Sequence, residues 1–289
     1  MQDPSKAPAP AAAEARSGGP TRSAGRSPLS PLFVVRGALP PQIDLGFGVG
    51  GLLAVIAVWC WLTYGGHVKP LFLPSPTGIW EGLLELHRRE WLLPAIARSS
   101  WRVVHALFLV TIIGVPIGIL MGAFAPIDAA LRKIVNGGKS IPTTGLVGLI
   151  VLWFSIEERA KIVFLFLGAI FYMIVLVKNA VLSVNEDYIR VAVDIGAGRW
   201  QTIQRVLLPA ALPQIWDAIA VCNGIMWTYI VLAEYINSNQ ENLGLGFLLS
   251  VSSRTNESGQ VFATLIVIAL ISTFADWVFQ TVRKQLLDW

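Results

Sequence analysis

The chain has 289 residues, of which 54% are hydrophobic and only 14% charged, and eleven tryptophans lie among long apolar runs. That balance is outside the range of soluble globular domains and implies an integral membrane protein. The net charge of +4 is scattered between apolar segments without a contiguous basic patch, so no nucleic-acid partner is expected, and the two cysteines, Cys60 and Cys222, sit inside apolar runs as core residues without the polar neighbours of a disulfide or zinc site.

Residues 1–42 are rich in Pro, Ala, Ser, Gly and Arg and carry hardly any large apolar side chain, so they form a disordered cytoplasmic tail ahead of a membrane domain at 43–289. The first apolar segment begins near Ile43, too far from the start for a cleaved signal and long enough to span, and is read as a retained anchor. Spans are predicted at 43–64, 100–124, 142–155, 160–182, 211–236 and 260–281; the third is too short to cross unless it tilts or extends toward Gly138. Six crossings put both ends on one side. Fourteen of the 22 Lys and Arg residues fall there, so the tail, the polar segment at about 183–209 and the C-terminus are expected in the cytoplasm, with Gly66 and Asn239 outside.

Between the first two spans, Pro74-Ser75-Pro76-Thr77 precedes an amphipathic stretch at 78–87 with Ile79, Leu83 and Leu86 on one face and Ser75 or Thr77 as its cap. It is either a structural surface helix or an extracytoplasmic contact for a partner. Gly114, Gly118 and Gly122 stand four apart in span two, a bare face for close helix packing or for a moving contact between subunits. Gly138-Lys139-Ser140 lacks the earlier glycine of a phosphate-binding loop, since Lys133 stands there, and Pro142 follows; the fragment is a turn, and the chain has no ATP site of its own. His67, His87 and His105 are not at ligand spacing with carboxylates, and no catalytic motif is present. Charges near span ends need partners: Arg102 with Glu234 toward the outside, and Lys178 with Asp276 toward the inside. The polar and aromatic Asn223, Trp227, Thr228 and Tyr229 of span five are candidates for a solute path, with Asn223 and Trp227 sharing a face and Arg102 and Glu234 near its outer mouth. An ion-gradient-driven transporter or channel would instead use Glu234 and Asp276 as coupling groups.

The segment from Tyr188 to Pro213 is a polar interruption between two apolar runs. Tyr188, Val191 and Ile195, and then Trp200, Ile203 and Leu207, repeat one helical spacing, which predicts two short amphipathic helices. Gly196 and Gly198 supply the positive φ of a sharp turn, Pro209 ends the second helix, and Pro213 sits in the first turn of the next span. A helix-turn-helix reading fails, because a segment pinned between two spans has no separate core.

Ala192, Gly196 and Leu208-Pro209 resemble the EAA loop of ABC importer membrane subunits, with Arg190 where Glu is usual. Arg102, the Gly-Val-Pro-Ile-Gly from Gly114, Ile141-Pro142, Leu152-Trp153-Phe154, Pro209 to Pro213, Ala233-Glu234 and Leu286 to Trp289 extend the resemblance to the nitrate/sulfonate/taurine/bicarbonate group of permeases, over about residues 70–289. The resemblance implies an all-α, six-span type I importer permease in a bacterial inner membrane, not itself an enzyme, working by alternating access for a small anionic solute. It also implies a second permease copy, a periplasmic or lipoprotein solute-binding protein, and ABC ATPase subunits that carry the ATP and Mg while this chain binds no cofactor. The implied docking residues are Tyr188, Arg190, Ala192, Asp194, Gly196, Ala197, Gly198, Arg199, Trp200, Ile203, Leu208 and Pro209.

Overall fold

The computed structural model describes residues 40–155, 157–236 and 243–286, so the tail to residue 39, Asn239 and the last three residues lie outside it. Among the described residues there are helices and no strand: α1 Pro41–Tyr64, α2 Pro76–Arg88, α3 Leu92–Ala123, α4 Ala125–Ser140, α5 Val147–Phe154, α6 Glu158–Leu182, α7 Glu186–Asp194, α8 Arg199–Thr202, α9 Leu208–Ile236, α10 Leu245–Arg254 and α11 Ser258–Leu286. Two compact units divide at residue 58. In the first, the described residues are the N-terminal part of α1, apolar and exposed along its length. Everything below concerns the second.

Five helical stretches are long and apolar enough to cross a membrane: α1, α3, α6, the run from α8 through α9, and α11. The predicted span at 142–155 is not a sixth such helix. It is a 3-10 turn, Thr143–Leu146, leading into the eight residues of α5, about 20 Å at most and short of a bilayer core near 30 Å. Pro142 sets this break, since it cannot donate an N–H to the preceding turn and disfavours helix at Ile141, whose backbone is extended.

The packing shows what that segment does. A methyl built on Gly114, Gly118 or Gly122 of α3 would lie 2.7, 2.7 and 2.6 Å from side-chain carbons of Met173, Val177 and Val181 of α6. Both series rise in step, so α3 and α6 run parallel, with bare backbone on one helix receiving side chains of the other. The glycine seam is therefore a contact within one chain, not between subunits. The stretch between two parallel helices must return along their length, and it does so against α6: Asp128 meets Lys178, Gly138 the ring of Phe171, Thr143 the backbone of Gly168, and Ile150 clusters with Ala160 and Phe164. The return path is α4, the turn and α5 together, starting seventeen residues before Pro142 and not at it. α9 runs antiparallel to α6, with Gln214 at Ser183, Tyr229 edge-on to Phe164, and Glu234 at the end where α6 begins.

α2 forms where the sequence places it. Ser75 is the cap, accepting the Gly78 N–H at 3.2 Å, Pro76 occupies the first turn, and Ile79 and Leu86 are buried while Gly82 packs against Gly259 of α11.

Candidate functional site

The end of the bundle at which α6 stops carries α7 and α8. Asn185 caps α7, accepting the Asp187 N–H at 2.9 Å, and Glu186 and Asp187 in the first turn match the positive end of the helix dipole. Ala192 faces inward and is buried, Ile189 packs on the core, and Tyr188, Val191 and Ile195 face out, with Ile195 80% exposed. Gly196 ends the helix at φ +83, where a side chain would be strained although nothing crowds the position. Gly198 does not share that geometry: its φ is −69, an extended N-cap conformation, and its N–H donates to Gln201 Oε1 at 3.0 Å. One glycine makes the turn, not two.

The second half of the loop also departs from expectation. Arg199 to Tyr235 is one continuous helical run of 37 residues, and Pro209 does not end it. A π turn at Ile203–Leu207, in which the Leu208 N–H reaches back to Ile203 O, widens the helix just before the proline, so the turn absorbs the missing donor and the ring clash that would otherwise break the run. Trp200, 60% exposed, is thus rigidly continuous with Glu234. Ile203, expected at the docking face, is buried with Leu207 beneath α7; Leu208 is half-buried, Pro209 exposed, and Ala197 half-buried. The outward set is Tyr188, Arg190, Val191, Asp194, Ile195, Arg199 and Trp200. Among the described residues Arg190 pairs within its own helix, with Glu186 at 3.0 Å. Under α7 a cleft of about 420 Å³ remains, lined by Phe124, Val184, Ile189, Val193, Ile203 and Leu207.

Behind the loop, Asp128 of α4 bonds Arg132 on its own helix and Lys178 on α6. Lys178 therefore does not pair with Asp276 as the sequence suggested, because the α4 return brings a carboxylate closer.

The opposite end is built the other way. Arg102 and Glu234, each about 1% exposed, are in contact at 2.6 Å as expected from their span-end positions. The guanidinium also takes Glu158 in a two-pronged contact at 2.6 and 2.5 Å, and Lys161, fully buried, reaches the same carboxylate at 3.2 Å. Glu234 further accepts the Ser99 hydroxyl at 2.8 Å and the Gly246 N–H at 2.8 Å, while Ser99 accepts the Leu245 N–H, so the first turn of α10 is capped from α3 and α9. Arg102, Lys161 and Glu234 are thereby buried around shared hydrogen bonds, with Glu158 half-exposed at the edge of the cluster. Sequence reading missed Glu158, Lys161 and Ser99; a carboxylate opening span four was a visible signal, whereas Ser99 had none. The solute-path candidates are also placed: Asn223 and Trp227 are buried in the chain's own core, Thr228 is exposed, and Tyr229 packs on Phe164.

Residues 114–287, which hold this seam, the loop and most of the charged end, match the model of the binding-protein-dependent transport system inner membrane component family. The chain belongs to that family. Among its relatives, the taurine transport system permease protein TauC of Escherichia coli K12 is 31% identical over 259 residues, covering 88% of this chain and 92% of the relative. The putative aliphatic sulfonates transport permease protein SsuC of Bacillus subtilis 168 is 28% identical over 252 residues, covering 86% and 90%. An inward-facing structure of the MetNI methionine ABC transporter shares the fold at TM-score 0.61 and 20% identity, covering 68% of this permease and 95% of that chain. This permease is accordingly a transport component and not an enzyme, with the all-α importer-permease fold that its sequence resembles.

Proposed function

We propose that this permease conducts a small anion of the nitrate, sulfonate, taurine or bicarbonate type inward by alternating access, two copies acting with ABC ATPase subunits and a solute-binding protein. The observation that carries the mechanism is the unbroken helix from Trp200 to Glu234. ATPase subunits docked on Tyr188, Val191, Ile195 and Trp200 would push on a helix that ends in the buried Arg102–Glu234 contact, so movement at one end reaches the other without a flexible joint. The cleft under α7 gives that helix room to shift. The Lys and Arg distribution supports a cytoplasmic loop end and cytoplasmic termini, and the α4-to-α5 return supports six crossings. The solute class is carried by the relatives. Glu234 is fully engaged by Arg102, Ser99 and the α10 backbone, which leaves the ion-gradient reading without support.

The test is reconstitution of the full chain with a co-expressed ATPase subunit and binding protein, followed by uptake of labelled ethanesulfonate, taurine, nitrate and bicarbonate. ATP-dependent uptake of at least one is expected; uptake that persists without the ATPase and follows an imposed ion gradient would refute the proposal.

A further inference from the structure

The two charged clusters mark a scale along α6. Glu158 and Lys178 are twenty residues apart, about 30 Å at 1.5 Å per residue, which is the thickness of a bilayer hydrocarbon core. Thr143 touches Gly168, ten residues from either cluster, so the break between α4 and α5 lies at the middle of that depth. Here the backbone is irregular and uncovered: Ile141, Pro142, Thr144 and Gly145 are exposed, and Thr143 and Thr144 open the 3-10 turn with N–H groups and hydroxyls that have no partner among the described residues. Hydrocarbon does not accept such groups, because each unsatisfied backbone donor there costs several kcal/mol; irregular backbone at this depth is found only against protein or water. Lys139 decides between the two. It is exposed, without an ion pair among the described residues, and adjoins Gly138 at Phe171, about 10 Å inward from Lys178 along α6. A lone ammonium is poorly accommodated by lipid and by a dry protein contact alike, whereas water solvates it.

We infer that the α4–α5 break faces a water-filled passage through the bundle and that Lys139 is the cation an anionic solute meets there. The inference rests on the permease reading for the passage having a cargo, but the site itself stands on depth, exposure and unmet polarity. It gives Gly138-Lys139-Ser140, which the sequence read as a cytoplasmic turn but which forms the last turn of helix α4, a role that its sequence did not suggest, and it moves the polar wall of the path from Asn223 and Trp227, which are enclosed, to the interrupted helix.

Thr144→Cys, in a full chain lacking Cys60 and Cys222, tests it in membranes opened so that reagents reach both faces. The probes are two water-soluble methanethiosulfonates of opposite charge, one ending in a sulfonate and one in a trimethylammonium, with rates divided by those on a free thiol. Both should react, the sulfonate about tenfold faster, since a fixed charge in a cleft concentrates its counter-ion by at least that factor; adding Lys139→Gln should remove the preference. Phe108→Cys, exposed like the break but on unbroken α3, should react only with a lipid-soluble maleimide. If Thr144→Cys behaves like Phe108→Cys, the break faces lipid. If no reagent reaches it but copper phenanthroline links two copies, it faces a second permease. Either result overturns the inference, and equal rates unaltered by Lys139→Gln refute the role of Lys139. Gly145→Cys, with open space around it, is read in the same way should Thr144→Cys fail to fold. Because uptake is not measured, labelling can fail while the importer stands, and anion-selective labelling can succeed where no uptake occurs.

Discussion

The two ends of this permease use charge and apolar surface in opposite ways. At the Glu234 end, Arg102, Glu158, Lys161 and Glu234 are drawn inward and share their hydrogen bonds with Ser99 and the first turn of α10, leaving Glu158 as the half-exposed member. At the loop end, the charges of α7 stay exposed in local pairs and large apolar side chains are turned outward. The difference separates a structure complete within one chain from a surface that a partner would complete. Buried, fully bonded charges fix the relative positions of α3, α6, α9 and α10, whereas Tyr188, Val191, Ile195 and Trp200 gain burial only from another molecule.

The sharpest way to break this contrast is to remove one charge from the enclosed cluster. Glu234→Ala leaves Arg102 facing Glu158 alone and uncaps α10, and should lower stability by about 3–5 kcal/mol. Chemical unfolding of the detergent-purified protein measures this, and a change under about 1 kcal/mol would mean the cluster is not the anchor described here. The Arg102→Ala/Glu234→Ala double-mutant cycle should show coupling of about 0.5–3 kcal/mol.

Trp200→Ala should leave the unfolding midpoint unchanged yet weaken association with an ABC ATPase subunit by about 2 kcal/mol, the usual weight of an exposed aromatic anchor. Titration of the ATPase against the reconstituted permease gives the number; an equal loss of intrinsic stability would show that Trp200 packs on its own chain. Gly196→Val meets no neighbour, so its effect comes from the backbone at φ +83 alone, about 1–2 kcal/mol. It should reorient α7 against α8, reducing ATP-driven uptake more than ATPase retention. Gly198→Ala, at an ordinary φ, should do neither.

Least of all is expected from Arg190→Ala. Its pair with Glu186 is exposed and local, worth less than about 0.5 kcal/mol, so stability should not move measurably. Set beside Arg102→Ala, it shows whether arginine is used as an internal brace at one end and as a solvated surface residue at the other.

Much of this was legible in the chain. Composition fixed the membrane class, the apolar runs located five helices long enough to cross, although α3 begins eight residues and the α8–α9 run twelve residues before the predicted spans, and Ser75, Gly196 and the Arg102–Glu234 pair were readable because each follows from a local rule: a capping hydroxyl, a glycine at a helix end, a charge at a span end. Misreadings arose where a local rule met a neighbour. Pro209 should stop a helix, but the π turn before it takes up the strain; Ile203 has the spacing of an exposed face, but α7 covers it; Lys178 lacked a near partner until α4 returned Asp128 to it.

The sequence by itself determined that this is a helical membrane protein with a loop of outward apolar residues, since those properties depend on residue type and period, and both are one-dimensional. Only the tertiary structure decided that α3 and α6 run parallel, that the chain between them returns as α4, a 3-10 turn and α5 beginning at Ala125, and that Gly138 and Lys139 sit partway along α6 beside Phe171. Direction and depth are properties of pairs of helices. No single segment carries them, and they appear when Gly114, Gly118 and Gly122 are set against Met173, Val177 and Val181 and the intervening chain has to come back.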